Sequence, residues 1–140
     1  MDPTPQAVLG VTMRWVHITS VVTLMGGFIH ARYVVAPAIA ATPALGAELA
    51  KRFRGLLYTV MLTALASGLY NYLTKPSYPR HYHMWIGIKF LFVLHIFAVS
   101  ILYPMPGASE AKRRRWLTGM IFSGLIVIAI SAWLRWISLS

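Results

Sequence analysis

Residues 84–103 read MWIGIKFLFVLHIFAVSILY, and this stretch decides the fold of the chain. A helix of roughly 20 apolar residues is long enough to cross a hydrocarbon core about 30 Å thick. Two ionisable side chains, Lys89 and His95, interrupt the apolar run. Because an ionisable side chain at membrane depth costs about 2.5 kcal/mol or more, each of them needs a partner, a ligand or a cavity.

The composition agrees with a membrane protein. The 140 residues are 58% hydrophobic and 11% charged, whereas a soluble domain has about 25% charged residues. The net charge of +10 would also suit a nucleic-acid partner, but the basic residues flank apolar runs, so we assign them to lipid headgroups and exclude nucleic acid. The chain has no cysteine, which excludes thiolate metal sites, disulfides and thiol redox chemistry.

Four apolar runs predict four membrane-spanning helices in a single domain, 1–140, with an all-α fold. The short loops favour an up-and-down four-helix bundle. Thr42-Pro43 resembles a helix start before the second run. Within that run, Ser67 and Gly68 are small enough to permit close contact between helices. The predicted spans cover about 8–31, 52–73, 84–103 and 116–137.

The basic residues predict the orientation. They concentrate in the loops after the first and third spans, which places both termini on the non-cytoplasmic side by the positive-inside rule. All three acidic residues, Asp2, Glu48 and Glu110, lie outside the spans, so no carboxylate is available at membrane depth to pair with Lys89. The basic residues of these two loops are Arg32, Lys51, Arg52, Arg54, Lys112, Arg113, Arg114 and Arg115.

Two histidines inside separate spans suggest a haem site. His17 lies in the first span and His95 in the third, and these spans are diagonal across an up-and-down bundle. Two imidazoles can hold the iron of a six-coordinate b-type haem from opposite sides. A c-type attachment is excluded, because the chain has no Cys-x-x-Cys-His motif. We therefore predict haem b as the cofactor and His17 and His95 as its metal ligands.

Other side chains near the histidines would complete such a site. Trp85 and Phe92 share a face of the third span with Lys89 and would pack on the porphyrin ring. Arg14, with Arg80 in the adjacent loop, would meet the propionates through charge-assisted hydrogen bonds. The alternative explanation is structural: each histidine only hydrogen-bonds a neighbouring carbonyl, and Lys89 extends toward the interface or stays neutral in a wet pocket.

Short motifs in the first and third spans resemble a known family. In the first span they are WVHI at 15–18, MGGF at 25–28 and RYVV at 32–35, and in the third span Trp85 is followed by IKFLFVL at 88–94. These segments resemble the HemJ family of bacterial protoporphyrinogen IX oxidases. The first span is also similar to CopD-type copper-resistance membrane domains. The resemblance extends over most of the chain.

The resemblance implies a multi-pass haem b protein of the bacterial inner membrane. His17 would be the functional histidine and an iron ligand, and Lys89 would be the functional, catalytic lysine. The implied activity is an oxidoreductase that converts protoporphyrinogen IX to protoporphyrin IX, or a related electron-transfer role. The implied partners are lipids and haem or porphyrin, within a homo-oligomer or a larger membrane complex.

Two other functions stay open on the sequence. One is a non-catalytic transmembrane subunit of a larger respiratory or photosynthetic complex, because a chain of this size that is nearly all membrane-embedded offers little soluble surface for independent work. The other is a CopD-like copper-handling protein, which seven methionines would suit. Methionine is also common in apolar cores, so its abundance does not decide between them.

Overall fold

A computed structural model describes residues 4–75 and 77–138. These residues form helices joined by turns, with no strand among them, as the all-α prediction expects. Four of the helices are long and apolar enough to cross a membrane. The elements are α1 (Pro5–His30), a π-helical segment (Ala31–Val35), α2 (Ala36–Ala38), α3 (Pro43–Leu73), α4 (Tyr82–Leu102) and α5 (Glu110–Ile137).

The helix starts follow local sequence signals. The Thr4 side chain accepts a hydrogen bond from the Ala7 N–H at 3.3 Å, and the Ser109 side chain accepts one from Lys112 at 3.2 Å. Both bonds satisfy amides that the first turn of a helix leaves without a partner. α3 begins at Pro43, directly after Thr42, and is therefore longer than the span predicted from 52. Proline fits the first helical turn, because its missing N–H has no partner there anyway.

α1 does not end cleanly but passes into the π-helical segment. The Ala36 N–H bonds the carbonyl of Ala31, five residues earlier. Pro37 follows at once, and a proline inside a helix lacks a donor and crowds the preceding turn. The wider π-turn lets the chain continue up to this proline, and Arg32 within it donates to Thr118 Oγ1 of α5 at 2.9 Å.

The helices associate as two pairs. α1 packs on α3, and α4 packs on α5. The two pairs meet mainly through α1 and α5, whereas α3 and α4 scarcely touch. The contacts within each pair run antiparallel: Met13 and Gly27 of α1 lie near Asn71 and Phe53 of α3, and Trp85 and Ser100 of α4 lie near Trp133 and Met120 of α5.

The closely packed core lies toward the end of the molecule that contains the π-helical segment. Phe28, Leu57, Leu117 and Met120 are almost completely buried there. Because these side chains interdigitate, this end of the molecule is closely packed, and we call it the solid end. The open space lies toward the other end, which we call the open end.

Arg113 is buried at the solid end. Its sequence position makes it one of several loop cations, yet the residue is only 5% exposed and its side chain points inward. Its Nη1 donates to Glu110 Oε1 at 3.1 Å, its Nε to the Tyr103 carbonyl at 3.3 Å and its Nη2 to the Met105 carbonyl at 3.2 Å. Arg113 therefore fixes the turn that joins α4 to α5.

Candidate functional site

A cavity of about 350 Å³ lies between α1, α3, α4 and α5. Its wall is apolar apart from four side chains, His17, Tyr72, Lys89 and Ser131. It extends from Tyr72, near the ends of α3 and α5, inward to Met25 and Met61. Two of the three main predicted site residues, His17 and Lys89, therefore face the same space.

His17 is held by α3. Its Nδ1 lies 2.9 Å from the Ala64 carbonyl oxygen and 3.3 Å from Ser67 Oγ. A carbonyl oxygen can only accept, so the Nδ1 nitrogen carries the proton and donates it. The Ser67 hydroxyl donates to the Thr63 carbonyl at 2.6 Å and leaves its oxygen free to accept. In the neutral ring, Nε2 then keeps its lone pair for another partner.

Gly68 sets the position of the imidazole. A Cβ at this residue would lie 2.9 Å from His17 Cε1 and 3.2 Å from His17 Nδ1, which is too close for an ordinary contact. The absence of a side chain lets the ring lie flat against α3 and reach the Ala64 carbonyl. The sequence prediction of a close helix contact at Ser67 and Gly68 is confirmed.

Lys89 enters the cavity from α4. Within residues 4–75 and 77–138 it makes no hydrogen bond or ion pair, and no carboxylate lines the cavity. Every fully buried side-chain nitrogen or oxygen of the described chain has a partner, so the Lys89 ammonium is in contact with open space.

His95 lies elsewhere. It is exposed on the outer surface where α4 meets α5, with its Nδ1 2.8 Å from Ser123 Oγ. The expectation that His17 and His95 approach one ligand from opposite sides does not match this geometry. Lys89 and His95 are six residues apart, about 240° around a helix at 100° per residue. When Lys89 points into the cavity, His95 therefore points away from it.

The remaining predicted binding residues also lie outside the cavity wall. Trp85 is half-buried and packs edge-on against Trp133 of α5, with ring centroids 6.2 Å apart. Phe92 is half-buried, and Arg14 is exposed one turn before His17. None of the three is part of the lining. Trp85 and Phe92 share a helix face with Lys89, and Arg14 shares one with His17. They lie at a different height along the helix axis or against a neighbouring helix.

Two cavity residues were not selected from the sequence. Met25 lies eight residues after His17 on the same face of α1, and Met61 faces it from α3. Gly124 of α5 makes room for Met25, because a Cβ at Gly124 would collide with its Sδ atom. The spacing of eight from His17 is the signal that identifies Met25, whereas Met61 has no comparable sequence signal.

An aromatic cluster lies next to the cavity in the turn between α3 and α4. We define it as Tyr72, Tyr78, Tyr82 and His83. The Tyr78 and Tyr82 rings lie 4.3 Å apart, and Tyr72 Oη lies 3.0 Å from His83 Nδ1. The Tyr78 hydroxyl donates to the Tyr72 carbonyl. Burial, followed by the neighbouring Tyr82 and Tyr72 hydroxyls, raises the pKa of Tyr78 to about 12.

A site built from several protein ligands is not seen. The described part of the chain contains no group of three or more His, Cys, Asp or Glu side chains placed to hold a metal ion. A metal held by one imidazole, as in a haem, does not require such a group. No family model, curated protein or solved structure matches the chain.

Proposed function

We propose that the chain is an integral membrane protein that binds a b-type haem in the cavity through His17 and performs a redox role. That role is the oxidation of protoporphyrinogen IX or electron transfer. The observation that carries the proposal is the His17 Nδ1–Ala64 hydrogen bond, which leaves Nε2 available in an apolar cavity. We also propose that the chain is related to the HemJ family, whose motifs it resembles.

The spacing of basic residues supports four spans. Eighteen residues separate Arg14 on α1 from Arg32 in the π-helical segment that continues it, which is about 27 Å at about 1.5 Å per residue. Twenty residues separate Arg115 from Arg135 on α5, or about 30 Å. The cations thus bracket a layer as thick as the hydrocarbon core of a bilayer.

Exposed apolar side chains support the same assignment. Val11, Leu91 and Phe122 are each about two-thirds exposed, and similar side chains occur along every long helix. Patches of this extent are unfavourable in water and favourable in lipid. We propose an up-and-down bundle in the bacterial inner membrane, with the loops rich in Arg and Lys in the cytoplasm and both termini outside it.

The residues of the cavity fit a haem. Histidine ligands of metals usually donate their second ring N–H to a carbonyl or carboxylate, which fixes the ring and raises its basicity. His17 makes this bond with Ala64. The cavity volume of about 350 Å³ lies at the lower end of the range for cofactor sites, about 300–1,000 Å³. When bound, a haem supplies one-electron chemistry.

Lys89 gives the cavity a second functional group. Its nitrogen faces the same space as His17 and has no partner among the described residues. Once the Lys89 ammonium has released its own proton, the neutral amine can accept one from a substrate that loses hydrogen, and the apolar walls exclude competing water. Lys89 is therefore proposed as the proton-accepting residue, and His17 as the residue that binds the haem.

The test compares two histidine variants. Wild-type protein, His17→Ala and His95→Ala are purified in detergent from cells supplied with haem, and reduced-minus-oxidised absorption spectra are recorded. We expect haem b bands in the wild type, retention in His95→Ala and loss in His17→Ala. Phe97→Ala, which alters the cavity wall without removing a ligand, serves as a control and retains the bands. A colourless wild type would overturn the proposal.

Copper handling is the second candidate, because Met25 and Met61 line the cavity together with His17. Thioether and imidazole groups suit Cu(I). Elemental analysis of protein grown with copper distinguishes the two functions. Stoichiometric copper that disappears in Met25→Leu and Met61→Leu, with no haem bands, would favour copper. Copper at background level would exclude it.

A further inference from the structure

Three basic side chains lie at the end of the molecule where the cavity reaches Tyr72. They are Arg14 of α1, Lys75 just after α3 and Arg135 of α5. Asn71 Nδ2 lies 3.4 Å from the Met13 carbonyl, which fixes the turn of α1 that carries Arg14 against the last turn of α3. Lys75 lies within electrostatic reach of both Arg14 and Arg135.

Arg135 is brought to this end by its aromatic neighbours. The rings of Trp133 and Trp136 on either side of it lie 5.0 Å apart. Trp133 also packs against Trp85 in the first turn of α4. The last turn of α5 therefore lies beside the start of α4, and the three cations come from three segments that surround one end of the cavity.

The described residues provide no anion for this group of cations. Glu48 pairs with Arg52 at 2.9 Å and Glu110 pairs with Arg113 at 3.1 Å, and both pairs lie toward the solid end. Lys75 Nζ instead lies over the Tyr78 and Tyr82 rings, 5.3 and 5.0 Å from their centroids. Burial, then Arg135 and Arg14, lowers the pKa of Lys75. An anion placed here would relieve this repulsion.

We propose that Arg14, Lys75 and Arg135 bind the anionic group, carboxylate or phosphate, of an amphipathic ligand whose apolar body occupies the cavity. Guanidinium groups bind such oxyanions through paired, charge-assisted hydrogen bonds. The inference rests on the proposed function for the identity of the apolar body, since a haem or porphyrin carries two carboxylates on one edge of an apolar ring.

The gap between α3 and α4 gives such a ligand a way in. Leu69 of α3 and Phe90 of α4 line the cavity and are 50% and 42% exposed. α3 and α4 scarcely touch, so this side of the cavity is the least closed by helix packing. A ligand dissolved in a bilayer can enter sideways here while its charged group stays near Arg14, Lys75 and Arg135.

The test compares an acid with its ester. Protoporphyrin IX and its dimethyl ester are titrated into purified protein in a neutral detergent, and the quenching of tryptophan fluorescence is followed. We expect the diacid to bind about tenfold more tightly, the size of a single charge-assisted hydrogen bond. Lys75→Gln and Arg135→Gln should each reduce this preference. Arg115→Gln, which removes the same charge at the other end of α5, should retain it.

The results separate this inference from the proposed function. Equal affinity for the diacid and the ester overturns the inference. The proposed haem function is then tested separately, by the spectra of the histidine variants. If neither porphyrin binds, the proposed function fails, and phosphatidylglycerol is titrated against phosphatidylcholine and against inorganic phosphate. A preference for phosphatidylglycerol that Lys75→Gln abolishes supports the anion site with a lipid as its ligand. No preference among the three overturns it.

Discussion

Arg113 and Lys89 are both basic side chains inside the molecule, at opposite ends, and their surroundings differ completely. Arg113 bonds one carboxylate and two backbone carbonyls, and the neighbouring cavity measures only about 20 Å³. Lys89 has no hydrogen bond or ion pair in the described part of the chain and faces about 350 Å³. Arg113 therefore stabilises the turn that joins α4 to α5, whereas the Lys89 ammonium faces the cavity.

The difference separates a structural role from a functional one. A buried charge with all its donors satisfied is costly to remove, because its partners are then left without it. A charge without a partner adds nothing to stability, so its presence in the wall of an apolar cavity points to a ligand or a proton transfer. The solid end therefore holds the helices together, and the open end is where we place function.

The largest effect is expected when the solid end is broken. Arg113→Ala leaves the Glu110 carboxylate and the Tyr103 and Met105 carbonyls without their donor. Removing one partner of a buried pair typically costs about 3–5 kcal/mol. Thermal unfolding in detergent should show a large fall in Tm for this variant.

The neighbouring arginine supplies the control. Arg115 is exposed two residues further along α5, and Arg115→Ala should change the free energy of unfolding by no more than about 0.5 kcal/mol. Equal losses in the two variants would contradict the assignment of Arg113, since they would show that the charge of the loop matters rather than the buried contacts.

The sequence predicts the helices better than it predicts their inner faces. Apolar length alone is enough to find the four long helices. It does not show that Arg113 points inward while Arg114 and Arg115 stay exposed. That choice depends on the carbonyls of the turn after α4 and on Gly46, where a Cβ would collide with the Glu110 carboxylate.

Lys89 and His95 show the same limit of sequence-based prediction at the candidate site. Helical periodicity already states that Lys89 and His95 project in different directions. It cannot state which of them meets the cavity, because that depends on which neighbour α4 packs against. Once α4 packs on α5 through Ser123 and Met120, His95 lies on the outside. Tertiary packing selects the face, and the sequence supplies only the alternatives.

A second prediction tests the open end through the helix that holds His17. Gly68→Ala places a Cβ only 2.9 Å from the nearest atom of the His17 ring, so we expect the ring to shift and its bond to the Ala64 carbonyl to be lost. Overpacking of this kind costs about 1–3 kcal/mol. Loss of the orienting bond should also lower haem affinity by about 10–100-fold, which a haem titration of the purified protein measures.

Gly87→Ala is the matched control. Gly87 lies in α4, and a Cβ at this residue would have nothing within 4 Å, so alanine there meets open space. Alanine is favoured over glycine in a helix by about 1 kcal/mol. This variant should be slightly more stable and should bind haem like the wild type. A Gly68→Ala protein that behaves in the same way would show that His17 is not held as described.

The third prediction concerns Lys89 itself. Lys89→Met keeps a similar length and removes an unpartnered charge from an apolar wall, so the free energy of unfolding should rise by about 1 kcal/mol. The proposed redox activity should be lost, while the haem bands that we attribute to binding at His17 should remain. Arg113→Met makes the same chemical change at the solid end and should destabilise. Destabilisation by Lys89→Met would contradict the contrast between the two ends.

The smallest effect is a pH dependence in the aromatic cluster. Because the pKa of Tyr78 is raised from 10.0 to about 12, the folded state favours the protonated phenol. Its contribution to stability is complete below pH 10 and is lost as the pH rises from 10 to 12. Lys75, whose pKa is lowered, acts in the opposite direction, so that stability gains from its deprotonation as the pH approaches 10.5.

Thermal unfolding across this pH range can separate these two contributions. Tyr78→Phe removes the hydrogen bond to the Tyr72 carbonyl at every pH. Because phenylalanine does not ionise, the variant also lacks the loss of stability that the wild type shows between pH 10 and 12. The Tm of this variant should therefore start slightly lower than that of the wild type and fall less steeply. Lys75→Gln should fall more steeply, because the opposing contribution is gone. Parallel curves for all three proteins would show that the phenol and the ammonium are as well solvated as in the unfolded chain.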